Sequence, residues 1–287
     1  MTIKQKAVQK MSKRVFGVNI PEAAGLLLLL AVGLIYLFPF YWMIVTSFKT
    51  LPETLVFPPS FFPKQLMFEN YLEVWRTGPF PRYVFNSFLV AILTTALQLV
   101  VAIPAAYAFA RRRFKGSRVV YAMILAGMML PMQVVIIPIY LLLSELGWIN
   151  TYAALTIPYM VSPFAIFLLT ESFKQLPDDI IDAAKLEQLS EGRLVLNMLL
   201  PMIKQIIVTV TLLLFITHWN DLFWVLIMTS SEQLHTLTVG MIKLTNTEGT
   251  HWQLLMAGNV ILVAPIFMIY LFASKHIKSA FTYSGIK

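Results

Sequence analysis

LPDDIIDAAKLEQLSEGRLVLNMLLP, residues 176–201, is a polar, helix-patterned stretch between two apolar runs of membrane length. Six charged side chains (Asp178, Asp179, Asp182, Lys185, Glu187 and Glu191) precede Arg193 and alternate with Ile180, Ile181, Ala184, Leu186, Leu189, Leu194 and Leu196. Pro177 followed by Asp178 and Asp179 predicts a helix start, with acids where the positive end of the helix dipole favours them. Ser190 reads as a second N-cap, so two short helices with a turn near Gln188 to Ser190 are expected. Apolar and charged groups on one hairpin at a membrane surface suit docking into a groove on another protein. The plainer reading is a solvated link between two spans.

Outward from this hairpin the chain is apolar. Of its 287 residues 58% are hydrophobic and 13% charged, about half the charged fraction of a soluble protein. Apolar runs long enough to span a bilayer, about 20 residues, lie at roughly 24–47, 84–109, 119–143, 153–170, 205–229 and 253–274. The expected fold is an all-α membrane protein with six transmembrane helices and both termini on one side. Lysine and arginine set the orientation. Seventeen of the 22 fall in residues 1–22, 110–118, 171–204 and 275–287, and the other five are Lys49, Lys64, Arg76, Arg82 and Lys243. Both termini and the 176–201 hairpin are therefore expected in the cytoplasm. The domain plan is a basic amphipathic segment at 1–22, a six-helix transmembrane domain at 23–274 that includes the 176–201 loop, and a tail at 275–287.

Several chemistries have no residues to carry them. There is no cysteine, hence no disulfide frame or thiolate nucleophile. The four histidines, His218, His235, His251 and His276, lack metal-ligand spacing, so no metal is expected. No G-x-x-x-x-G-K-[ST] cradle, HExxH pair or GxSxG elbow occurs, so no ATP site and no catalytic residue are expected on this chain. The net charge of +8 is read as cytoplasmic loops facing anionic lipid rather than nucleic acid.

Within the runs, Ala102, Ala106 and Ala110 form a stripe that allows close helix approach. Pro131, Pro138, Pro158, Pro163 and Pro265 should kink their helices. The fifth run holds the strongest polar cluster, Thr217-His218-Trp219-Asn220-Asp221. An ionisable residue at this depth is a site candidate. Trp219 and Trp224 could stack on a sugar ring while Asn220 and Asp221 bond its hydroxyls; the alternative is interhelical glue. The loop Thr245-Asn246-Thr247-Glu248-Gly249-Thr250 is hydrophilic and turn-forming.

The order Asp182-Ala183-Ala184, Glu187-Gln188 and Leu200-Pro201 resembles the EAA loop of binding-protein-dependent ABC importer permeases. Their pattern is Glu-Ala-Ala, two residues, Asp-Gly and a closing Leu-Pro. Gln188 replaces the glycine, so either it carries backbone strain or the turn is built differently. Phe85-Asn86-Ser87, Ala106-Tyr107-Ala108-Phe109-Ala110-Arg111 and Leu146-Gly147-Trp148-Ile149-Asn150-Thr151 are similar to the maltose-type carbohydrate branch. The resemblance implies a type I ABC importer permease fold in a bacterial or archaeal cytoplasmic membrane. It implies three kinds of protein partner, namely a homologous second permease, two ATPase subunits that hold ATP and Mg, and an extracytoplasmic solute-binding protein, with no cofactor on this chain. Membrane lipid is the expected surround. Asp182, Ala183, Ala184, Glu187, Gln188, Leu189 and Arg193 would contact the ATPase, as would the tail Ser284, Gly285, Ile286 and Lys287. Trp219, Asn220, Asp221 and Trp224 would line the pathway. Thr245, Asn246, Thr247, Glu248 and Gly249 would meet the binding protein. The competing functions are an ion-coupled secondary transporter using His218 and Asp221, and an intramembrane enzyme, for which no nucleophile-and-base set is present.

Overall fold

The computed structural model describes residues 14–15, 18–112, 114–246 and 249–283. The expected tail contacts Ser284, Gly285, Ile286 and Lys287, the loop residues Thr247 and Glu248, and most of the basic N-terminal segment lie outside them. Where that segment is described, Arg14–Val15 pairs antiparallel with Val18–Asn19, ahead of the first long helix.

Ten helices of six residues or more organise the described chain: α1 (Ile20–Ser47), α2 (Glu69–Arg76), α3 (Phe80–Arg111), α4 (Ser117–Gly127), α5 (Met132–Glu145), α6 (Pro163–Lys174), α7 (Asp178–Leu186), α8 (Lys204–Trp219), α9 (Phe223–Met228) and α10 (Trp252–Tyr283). Four stretches, Ala24–Ser47, Phe80–Arg111, Tyr152–Lys174 and Trp252–Phe272, are long and apolar enough to cross a membrane. Two bent pairs bring the total to as many as six if each is one span.

Those bends correct the picture of straight crossings. The run expected to span at 119–143 is two helices, α4 and α5, meeting at 101°. Pro131, which precedes α5, has extended φ/ψ (−66°, 133°), and proline disfavours helical φ/ψ in the residue before it. The run expected at 205–229 ends its first helix at Trp219, with Asn220 outside helical geometry, before α9 begins. The 153–170 run opens with a short helix, Tyr152–Thr156, and a 3-10 turn before Pro163 starts α6. Pro104, Pro138 and Pro265 remain inside helices.

The chain divides into two compact units. The first takes residues up to Tyr71 together with His251–Val260. Here the segment after α1 is tied down by buried polar groups. Asn70 Nδ2 donates to the carbonyls of Ser47 and Lys49, both at 2.8 Å. Lys49, almost fully buried, donates to the Ser60 carbonyl at 2.6 Å and lies 4.5 Å from the centre of the Trp42 ring. Burial holds its ammonium below the usual lysine range, against the pull of Glu53.

The second unit takes Leu72–Thr250 and the remainder of α10. Its main core lies where α3 crosses α6 and α8. Ala102, Ala106 and Ala165 are wholly buried there, with Ile166, Leu169, Phe173, Val210 and Leu214. Small side chains let the helix backbones approach, the geometry that dispersion rewards where lipid removes any hydrophobic drive between helices. A second core gathers Val90, Ile136, Leu143, Leu155, Trp224 and Met228.

Two motifs gain a physical reason from this unit. Asn86 Nδ2 donates to the carbonyls of Gln233 (2.9 Å) and His235 (2.8 Å), and its Oδ1 accepts from Tyr152. Ser87 Oγ accepts from the Leu237 amide at 2.7 Å. In the 146–151 stretch, Gly147 and Asn150 take positive φ of 67° and 62°, conformations that glycine and asparagine tolerate. Asn150 Oδ1 then accepts from Ser230 and Ser231, and Thr151 caps the helix that follows.

Candidate functional site

The 176–201 stretch folds as two helical segments with a turn between them. Helix α7 begins at Asp178 with Asp178 and Asp179 in its first turn, where the dipole stabilises carboxylates. Gln188 has φ +53°, and the Leu189 amide donates to the Ala184 carbonyl at 3.0 Å. This six-to-one bond across a left-handed residue is a Schellman C-cap, with Gln188 in the place glycine usually takes. The backbone is therefore the turn that glycine would make, with a Cβ penalty of roughly 1 kcal/mol. Ser190 does precede the second helical turn, Glu191–Arg193, but its side chain makes no capping bond.

Exposure divides the expected coupling residues. Asp182, Ala183, Glu187, Gln188 and Arg193 are exposed, and Leu189 is half-buried. Ala184 was expected on the docking face and is not there. It is 1% exposed and packs into the core with Leu194, Val195 and Leu199. The hairpin needs a small residue where its two arms meet, and Ala184 is that residue. The exposed apolar residue is Leu186, at 86%, which the spacing argument did not single out.

The hairpin is clamped to the end of α3. Arg111 pairs with Asp178 at 2.5 Å and also donates to the Leu176 carbonyl, while Arg112 pairs with Glu191. One helix end thus holds the first residues of both arms. Beyond the hairpin, Leu194–Leu199 is a π-helical stretch. Pro201 has no N–H to donate, and the chain then bends by 86° at Ile203.

The polar cluster near the end of α8 belongs to a network whose key partners come from elsewhere. Gln98 Nε2, on α3, donates to the Tyr159 carbonyl at 2.8 Å. This leaves Gln98 Oε1 facing His218 Nε2 at 3.0 Å, so Nε2 carries the hydrogen. Tyr159 donates its hydroxyl to Asp221 Oδ2 at 3.2 Å, and its ring meets His218 and Trp224 edge-on. Asp221 Oδ1 accepts from the Trp224 amide at 3.1 Å and so starts α9. An amide in the middle of the 84–109 run was the available signal for Gln98; Tyr159 carried none.

The same geometry corrects the sugar-stacking reading. Trp219 and Trp224 are each 1% exposed. Their indole N–H groups donate to the carbonyls of Leu262 and Ala154, both at 3.0 Å. Neither ring presents a free face; both indoles are core. Asn220 is exposed and bonds its own helix at the Ile216 carbonyl, and Asp221 is half-buried. Among the described residues the bonded path from His218 to Asp221 runs through the Gln98 amide, the Tyr159 backbone and the Tyr159 hydroxyl.

In the outer loop Thr245–Asn246 pairs antiparallel with Gly249–Thr250. Glu232 accepts from Tyr83 at 2.6 Å and pairs with Lys243. Lys243 and Tyr83 hold the Glu232 carboxyl below the usual range, Glu232 in turn holds Lys243 above its own, and burial lowers His235. Among the described residues no group of three or more His, Cys, Asp or Glu could hold a metal ion.

Comparison with known proteins adds ancestry to this geometry. The family model described as "Binding-protein-dependent transport system inner membrane component" matches residues 98–283. Trehalose/maltose transport system permease protein MalG of Thermococcus litoralis is 32% identical over 89% of this chain and 93% of its own length. Arabinooligosaccharides transport system permease protein AraQ of Bacillus subtilis is 29% identical, covering 91% and 94%. The sn-glycerol-3-phosphate transport system permease protein UgpE of Brucella abortus is also 29% identical, covering 84% and 89%. Among solved structures, a chain of a bacterial ABC transporter involved in the import of alginate superposes with a TM-score of 0.79. It shares 22% identity and covers 89% of this chain and 96% of that one, a likeness of fold.

Proposed function

Because this chain belongs to the family of binding-protein-dependent transport system inner membrane components, we propose that it is the permease subunit of a carbohydrate importer in a bacterial or archaeal cytoplasmic membrane. It forms half of the translocation pathway beside a homologous second permease. Two separate ATPase subunits close on ATP, its hairpin transmits their motion, and an extracytoplasmic binding protein delivers substrate to the 230–250 side. The carbohydrate class is supported by the names of relatives such as the trehalose/maltose and arabinooligosaccharide permeases.

The observation that carries this reading is the hairpin. Its exposed Leu186, flanked by Ala183, Glu187 and Gln188, is an apolar knob ringed by polar groups, the pattern of a helix seated in a partner's groove. Its two arms are clamped by Arg111 and Arg112, so a push on the hairpin reaches α3 directly. From α3 it passes to the α6 and α8 core through Ala102 and Ala106. The partner subunits would hold ATP with Mg, and hydrolysis of that ATP would supply the energy. This chain's part is to move as a packed body, with hinges at Ile203, Asn220 and the α4–α5 break. A ligand can shift such an equilibrium only by its differential affinity for the two states.

Affinity purification of the tagged chain from its native membrane tests the proposal. Co-purification of an ATPase and a second permease is expected, with ATP- and binding-protein-dependent sugar uptake in vesicles. Uptake by this chain alone, abolished by collapsing the proton gradient, would overturn it.

A further inference from the structure

The end of α3, the start of α4 and Lys174 of α6 enclose a cleft of about 760 Å³. Five cations line it, Arg111, Arg112, Lys115, Arg118 and Lys174, against one carboxylate, Asp178. Three of the five are already paired: Arg111 with Asp178, Arg112 with Glu191, and Lys174 with Glu171. Lys115 and Arg118 have no carboxylate partner among the described residues. Arg111, whose side chain is only 10% exposed, also has a buried Nε with no acceptor. The cleft therefore has more donors than its own acids satisfy.

Aromatic rings share the lining with these cations, and Lys174 lies 5.4 Å from the centre of the Tyr121 ring. Phe109 stands 5.8 Å from Phe114 and 5.2 Å from Tyr121, ring centre to ring centre, and Phe114 is 43% exposed. Both bounding helices are apolar, and α3 is of membrane length. The cleft thus sits where apolar helix gives way to polar loop, the depth of the lipid headgroups. Cations and exposed aromatic carbon in one cleft match an amphiphile bearing a phosphodiester, not a wholly polar anion.

We propose that this cleft binds the phosphate of an anionic phospholipid, with Lys115 and Arg118 as the principal donors and the Phe109–Phe114 wall against the glycerol end of an acyl chain. Basic pockets between membrane helices hold such headgroups through charge-assisted hydrogen bonds. The site shares Arg111 and Asp178 with the clamp that holds the hairpin, so a bound lipid reinforces the end of α3 from which the hairpin is held. This inference needs the chain to be embedded in a membrane; it does not depend on what is transported.

The test uses the whole transporter in nanodiscs of phosphatidylglycerol and phosphatidylcholine, with lipids retained after purification measured by native mass spectrometry. Lys115→Gln with Arg118→Gln should lower phosphatidylglycerol retention about 30-fold, the effect of removing two membrane-surface cations. Lys115→Arg with Arg118→Lys should keep it. The pair Lys204→Gln with Lys275→Gln removes the same charge elsewhere on the chain and should leave retention unchanged. Equal loss in that control would overturn the proposal, since general surface charge would then explain the binding. So would displacement of the lipid by excess inorganic phosphate, which would mark a free-anion site. Loss of the ATPase subunits with full lipid retention would also overturn it, assigning the cleft to an acidic protein surface.

Discussion

Gln98 and His218 meet at 3.0 Å inside the second unit, amide oxygen against Nε2, although 120 residues separate them. The Tyr159 carbonyl holds the other end of the Gln98 amide, so the orientation of the pair is decided by a third segment. Replacing Gln98 with Leu should leave a buried imidazole N–H without its acceptor, at a cost of about 1–3 kcal/mol. A double-mutant cycle with His218→Leu, read from thermal unfolding of the purified complex, should give a coupling of about 0.6–1.7 kcal/mol. Strict additivity would mean that the contact contributes nothing.

At the hairpin turn, Gln188→Gly should stabilise. The Schellman cap already has its left-handed residue, φ +53°, so glycine relieves the Cβ clash of about 1–2 kcal/mol. Against this stands the greater freedom of glycine in the unfolded chain, about 0.4–1 kcal/mol. The expected net gain is up to about 1.6 kcal/mol, seen as slower amide exchange at Leu189 and Glu187. Faster exchange would show that the Gln188 side chain supports the turn in a way its backbone geometry does not explain.

Leu186 and Ala184 should fail differently. Leu186→Asp removes an exposed apolar knob from a folded hairpin. If the knob is buried on docking, ATPase association should weaken roughly tenfold to a hundredfold, the worth of one leucine side chain, with no change in the chain's own melting. Ala184→Arg places a charged side chain in the core beside Leu194 and Leu199, so it should lower melting as well as association. Binding measured alongside thermal stability separates the two, and equal stability for both variants would contradict the buried position of Ala184.

The outer loop should loosen in acid. The Glu232 and His235 groups both have folded pKa values below their ordinary ones, Glu232 because Lys243 and Tyr83 donate to it, His235 because of burial. For a lowered group the folded state binds the proton less readily than the unfolded one, so stability is present above the ordinary value and falls as pH drops through the folded one. His235 acts first, below about pH 6.5, and Glu232 below about pH 4.5. Amide exchange across 230–244 should accelerate in those two windows. His235→Gln should abolish the upper one and Glu232→Gln the lower, whereas profiles unchanged by either substitution would remove both groups from the stability of the loop.

Much of the local structure was legible in the order of residues. Pro177-Asp178-Asp179 marks the start of α7 because a helix begins where its free N–H groups meet acids and where proline is tolerated. The apolar runs mark the membrane-length helices because lipid requires every backbone group to be satisfied within its own segment. The motif offered a left-handed turn at Gln188 as one of two alternatives, and its φ of +53° decides for it. These are properties of neighbours along the chain.

The inward faces were decided only by the tertiary structure. Ala184 and Leu186 are two positions apart in one helix, and pattern alone pointed to the wrong one as the exposed residue. Trp219 and Trp224 looked like free rings until the Leu262 and Ala154 carbonyls were found to take their N–H groups. The bend of 101° between α4 and α5 also lay within a run that hydropathy reads as one piece. In water, hydrophobicity marks the side that packs inward. A bilayer is as apolar as a protein core, so in a membrane chain the same side chain suits either, and only a partner from a distant segment chooses between them.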